Sequence, residues 1–90
     1  MFKFYWDNGK IQSISFFFKN KKTGPWIGYF DDGKISFEQN FIDGKKEGDY
    51  KVYFMNGQIS VFGTYRNDYK TGIWNYYTKN GTLLKAENYK

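Results

Sequence analysis

The sequence contains no cysteine and no histidine. It therefore offers neither a disulfide framework nor a typical zinc site, and a reducing compartment is the natural setting. Acid–base chemistry through imidazole is excluded as well. A nucleophile–base pair would have to come from Ser, Lys, Asp and Glu alone. Yet Asp7, Asp31, Asp32, Asp43, Asp49 and Asp68 fall mostly in turn-like stretches, where turn chemistry accounts for aspartate. There is no phosphate-binding glycine loop and no metal-ligand spacing. Neither enzymatic activity nor a cofactor is expected. No apolar run approaches the ~20 residues of a membrane-spanning helix. The opening MFKFYWDNGK lacks the apolar centre of a signal peptide. With Met1 as the natural start, the expected location is the cytoplasm.

What is abundant is aromatic. Phe, Tyr and Trp make up 24% of the 90 residues, yet the mean hydropathy is −0.79. That mixture suits short, half-buried strands. Ten glycines against one proline fit many turns. The formal net charge of +5 permits an acidic partner, a nucleic acid or an anionic membrane surface, and selects none of them.

A period organises the chain. Gly9, Gly33, Gly57 and Gly81 follow one another at 24-residue steps. Gly24, Gly48 and Gly72 form a second series in the same register, and Trp26, Tyr50 and Trp74 a third. Tyr5, Tyr29, Tyr53 and Tyr77 form a fourth, followed by Ile11, Ile35, Ile59 and Leu83, then Phe17, Phe41, Tyr65 and Tyr89. The units run over about 1–20, 21–44, 45–68 and 69–90, the first lacking its leading loop.

Every glycine of the first series follows Asn or Asp: Asn8, Asp32, Asn56 and Asn80. Asn-Gly and Asp-Gly predict two-residue type I′ hairpin turns, in which both central residues take positive φ. Each unit thus reads as strand, turn, strand and linking loop. Such turns pair residues across each hairpin and sort them onto two faces. The core face then holds Trp26, Gly28, Phe30, Ile35, Phe37, Gln39 and Phe41, with matching sets in the other units. The tyrosine series falls on the other, polar face. Gly28 and Gly63 are consistent with close approach of a neighbouring aromatic ring.

The order Gly-x-Trp/Tyr-x-x-Tyr, then Asn/Asp-Gly-x-Ile/Leu, then Phe/Tyr resembles a MORN repeat, most closely its bacterial variant form, across essentially the whole chain. The resemblance implies an all-β fold: β-hairpins laid side by side into one twisted, curled antiparallel sheet, a β-meander of about eight strands. It also implies a role in protein contact, dimerisation, or association with membranes and phosphoinositides. Some bacterial variant members are antitoxin-like. It supplies no catalytic residues.

An apolar sheet face needs a cover. Curling of the sheet onto itself is the expected one, with pairing of two chains or a bound partner as the other routes. The C-terminal edge carries Lys85 and Glu87 on the core face, a guard against edge pairing. The N-terminal strand, Phe2, Phe4 and Trp6 on its core face, has only Lys3 as protection, so this edge is where a partner or a second chain adds a strand. In ISFFFKN, Ile14, Phe16 and Phe18 make the polar face apolar near the N-terminus, and such patches mark contact surfaces. The tyrosine ladder reads as structural.

The linking loops at 18–24, 42–48 and 66–72 share one side of the sheet. They carry Lys19, Lys21, Lys22, Lys45, Lys46, Arg66 and Lys70 against Asp43, Glu47 and Asp68, a balance of +4, while the hairpin-turn side is neutral. This edge is the candidate footprint for anionic lipid or phosphoinositide. Nucleic acid is the weaker option, because the aromatics face the core and leave no stacking platform. The leading expectation is a non-enzymatic module that docks a partner protein or itself, with an antitoxin- or inhibitor-like role resting on the resemblance. The alternative is an anionic membrane-surface binder.

Overall fold

The computed structural model describes residues 1–89 and holds ten strands. They are β1 (Phe2–Tyr5), β2 (Ile11–Ser15), β3 (Phe17–Phe18), β4 (Lys21–Lys22), β5 (Gly24–Tyr29), β6 (Ile35–Ile42), β7 (Lys45–Tyr53), β8 (Ile59–Arg66), β9 (Tyr69–Tyr77) and β10 (Leu83–Tyr89). Eight of them form one antiparallel sheet in the order β1-β2-β5-β6-β7-β8-β9-β10, and β3 pairs with β4. The sheet does not close into a barrel. It measures 35 × 31 × 12 Å, a curled slab. The all-β meander of hairpins is the architecture that the repeat predicts. Among the described residues no helix is long and apolar enough to cross a membrane.

The turns differ from the expectation. At each Asn/Asp-Gly pair only the glycine has positive φ, for example Gly33 at 93°. Phe30 N–H donates to Lys34 O, and Gly33 N–H donates to Phe30 O. That is a three-residue loop, Asp31–Gly33, with a type I turn closed by a left-handed glycine. The same two bonds recur at Trp6–Lys10, Phe54–Gln58 and Thr78–Thr82. The preceding Asn or Asp is an acceptor: Asn8, Asp32 and Asn56 Oδ1 each take the N–H two residues on. Thr78 Oγ1 takes over in the last hairpin.

The type I′ turns lie on the other side of the sheet. Lys19-Asn20, Asp43-Gly44 and Asn67-Asp68 have positive φ at both residues. The expected linking loops are therefore mostly strand, reversed by tight turns.

A three-residue loop displaces the first pair of each hairpin by one residue. Tyr29 faces Ile35, and likewise Tyr5 faces Ile11, Tyr53 faces Ile59 and Tyr77 faces Leu83. A β-bulge follows immediately and restores the expected pairing, as in Gly28 with Phe37 and Trp26 with Gln39. The body of each hairpin thus has the predicted register. The isoleucine series does not sit on the core face. Cross-strand partners share a face, so Ile11, Ile35, Ile59 and Leu83 join the tyrosines.

A second irregularity sits at Gly24, Gly48 and Gly72, with φ of 84°, 88° and 70°. Between β6 and β7 the pairing passes from Gln39 with Tyr50 to Phe41 with Lys46, so β7 carries two extra residues. The same step separates Phe62–Asn75 from Thr64–Thr71, and Ile14–Ile27 from Phe17–Lys22. The β3–β4 pair is therefore the outer end of the β2–β5 hairpin, beyond the same kink.

Curling covers the core face unevenly. Trp74 is 1% exposed, and Phe41 is also buried. Trp74 lies over Gly63 and donates Nε1–H to Thr64 O at 3.1 Å. Phe37 lies over Gly28 in the same way. At the N-terminal end Phe2, Phe4 and Phe17 remain exposed. A Cβ at residue 63 would fall inside the Trp74 ring. Gly63→Ala should therefore lower stability by about 1–3 kcal/mol, read as a lower urea midpoint at unchanged slope; an unaltered midpoint would mean that the ring is not held there.

Neighbouring hairpins are tied at their turns. Asn8 Nδ2 donates to Asp31 O and Asn56 Nδ2 to Lys79 O, each at 2.9 Å. Asp32 has no such donor. Asp32→Asn supplies one toward Met55 O, the matching carbonyl, and should raise stability by about 0.5–1.5 kcal/mol. Thermal unfolding of the two proteins side by side checks this.

Candidate docking surface

The exposed end of the core face forms a concavity of about 540 Å³ lined by Phe2, Phe4, Ser13, Ser15, Phe17, Asn20, Lys22 and Trp26. Phe2 and Phe17 meet edge to face with ring centroids 5.0 Å apart. Trp26 packs edge-on against Phe37 at 4.7 Å, which fixes the inner wall. Its outer rim is β1, whose far side pairs with no strand.

The six residues expected to make partner contacts, three on the core face of the N-terminal edge and three on the polar face, have unequal fates. Phe2 and Phe4 line the concavity, and Phe4 is 57% exposed. Trp6 lies beyond the end of β1 and is half-buried, and its Nε1–H donates to Tyr29 O at 3.2 Å. It ties the first hairpin to the second. Ile14 is half-buried opposite Ile27 on the other face. Phe16 is half-buried with its ring beside Gly24. Phe18 is exposed, pairs with Lys21 and alternates with Phe17, so it too belongs to the other face. Phe17, expected only as a repeat residue, completes the concavity. Among the described residues β3 pairs only with β4, so no strand lies against the other side of Phe17.

The seven basic residues are divided as well. Lys19, Lys21, Lys45 and Arg66 are exposed along the edge. Lys22, Lys46 and Lys70 lie on the aromatic face. Lys22 Nζ is 3.8 Å from the Trp26 ring centroid and 5.2 Å from Phe41. Lys46 Nζ is 4.8 Å from Tyr65, and Lys70 Nζ is 4.8 Å from Trp74 and 5.3 Å from Tyr89. Cation–π contacts of this kind contribute about 0.5–1 kcal/mol each when exposed, and the lysine stems add cover to the rings. These lysines recur at the 24-residue period, so the sequence carried the signal. Reading them as loop residues hid it. Burial against the rings holds the Lys22 ammonium below the ordinary lysine range.

At the other end the face is closed by charge. Lys85 and Glu87 make the one ion pair among the described residues, at 3.8 Å. Tyr89 Oη donates to Glu87 at 3.0 Å, and Lys85 lies over Tyr76. Hydrogen bonds from Tyr89 and Tyr76 hold the Glu87 carboxyl below its usual range.

On the opposite face, Tyr53 Oη donates to Glu38 at 2.7 Å. Burial first, and then the Glu38 carboxylate, push the Tyr53 phenol up to about 12 from 10.0. A pKa raised on folding gives stability that is whole below pH 10.0 and lost as pH rises through about 12. Tyr50 and Tyr76 are also raised by burial, so ultraviolet titration should show several late tyrosines, with one late component lost in Tyr53→Phe and shifted partly back toward 10.0 in Glu38→Gln.

A single open sheet of hairpins, kinked at one left-handed glycine per unit and turned by another, defines a β-hairpin repeat protein. Its residues 1–20, 22–43 and 70–90 match the MORN repeat variant, and the chain belongs to that family. Residues 45–68 lie outside the matched segments but form β7 and β8 with the same turn bonds. MORN repeats are generally protein- or membrane-interaction modules. No curated protein matches the chain.

Proposed function

We propose that the protein is a non-enzymatic docking module for another protein, seated on the concavity of the aromatic face and the free edge of β1. The observation that carries this reading is the unequal cover of one repeated face. Lysines, tyrosines and an ion pair close it toward the C-terminus, while Phe2, Phe4 and Phe17 stay exposed beside a strand with no neighbour. Exposed apolar surface next to unpaired backbone groups is a cost that a bound chain removes. Phe18 and Ile14 belong to the opposite face and lie outside this surface. An antitoxin- or inhibitor-like role is the form of docking that the family resemblance suggests, and the cytoplasm is the compartment consistent with a cysteine-free chain.

Binding to an anionic membrane is the second reading. It rests on Lys19, Lys21, Lys45 and Arg66, set against Asp43, Glu47 and Asp68 on the same edge. Those acids are partly engaged: Asp68 accepts from Lys46 N–H and Glu47 from Asn67 N–H. With three lysines directed to the rings, the free basic surface is smaller than the sequence suggests.

The two readings separate by salt and by one substitution. Wild-type protein and Phe4→Lys, used as bait at low and physiological salt, should differ in one retained protein that persists at both salts. Identical retention by the two baits would remove the concavity as the docking surface. Salt-labile retention of anionic lipid alone would move the function to the lysine edge.

A further inference from the structure

We infer that the occupant is an extended acidic segment of another protein, which adds a strand beside β1 and presents a carboxylate to Lys22. This rests on the docking reading above and names the chemistry of the partner.

Three observations converge at one end of the sheet. The first is the edge. β1 pairs only with β2, so alternate N–H and C=O groups along its other side have no partner strand. A peptide satisfies these groups; a lipid headgroup does not. The second is the concavity, whose outer wall is Phe2 and Phe4, the two core-face residues of β1. Side chains of an added strand that point to this face fall beside them, two residues apart.

The third is charge. Residues 1–30 carry Lys3, Lys10, Lys19, Lys21 and Lys22 against Asp7 alone, a net +4 out of the chain's +5. The apolar opening and most of the charge excess coincide. Lys22 lines the concavity and has no carboxylate within ion-pairing distance among the described residues. An ammonium half-sheltered by aromatic rings and unpaired is complementary to an incoming Asp or Glu. A second copy of the chain would instead bring its own excess of cations to the same edge. The favoured segment therefore turns every second side chain toward the concavity, apolar residues beside Phe2 and Phe4 and an Asp or Glu at another position of that same face, toward Lys22.

The test uses the full chain as bait for a display library of random ten-residue segments. Enriched segments should carry apolar residues at alternate positions with an Asp or Glu at one position of that same face, and should slow hydrogen exchange of the β1 amides. Lys22→Glu should weaken them by about tenfold or more and, used as bait, should enrich Lys or Arg in place of the acids. Phe4→Lys should abolish them. Circular dichroism and thermal unfolding confirm that the variants fold, and Lys22→Met replaces Lys22→Glu if the latter does not. Segments that need Phe4 but lack acids, or that ignore Lys22, overturn this inference and leave the docking surface standing. If nothing is enriched, or if binding ignores Phe4, both fall. Self-association through β1 in sedimentation, or binding only to vesicles of phosphatidylserine and phosphatidylcholine, likewise excludes the acidic strand.

Discussion

A single sheet has no second layer to bury its apolar face, and this constraint shapes every repeated feature of the molecule. Curling is the first response. It depends on Gly24, Gly48 and Gly72, whose left-handed backbone admits two extra residues on one strand and bends it. Direct packing of rings on backbone is the second, and it requires that Gly28 and Gly63 have no side chain. Laying lysine stems over the rings is the third. None of the three covers Phe2 and Phe4 of β1, which remain exposed.

Much of this was legible in the sequence because the period is strict. The hairpin bodies, the ring positions over Gly28 and Gly63, and the charged C-terminal strand all follow from alternation along the strands. The turn type did not. Asn-Gly suits both a type I′ turn and a type I turn closed by glycine, and nothing local chooses between them. The register survived because loop and bulge each add one residue, and the two additions cancel beyond Gly28. The isoleucine series lies between them and so changes face.

The candidate surfaces were less legible. Phe16 and Phe18 stand out in the sequence as departures from the repeat, but alternation along the strand sets Phe18 on the face opposite Phe17, and Phe16 is half-buried beside Gly24. The lysines were visible as charge and not as cover, because a Lys side chain has both a cation and an apolar stem. Some of their partners are rings four residues on, as Lys22 with Trp26, and others are rings 19 residues on, as Lys22 with Phe41 and Lys46 with Tyr65. Only the register between neighbouring strands reveals the distant pairs. Charge and openness are unevenly distributed along a nearly regular repeat: Phe2, Phe4 and Phe17 stay exposed at the end that also carries most of the positive charge.

The Asn-Gly turns also give the molecule a chemical history. Asparagine before glycine is prone to lose its side-chain amide. Such a change to aspartate at Asn8 or Asn56 would keep the oxygen that holds its own turn and lose the donor that reaches the next hairpin. The second hairpin already has that composition, with Asp32 in the corresponding place. Where aspartate is the product, the molecule would thus loosen between its units while each hairpin kept its own turn bond.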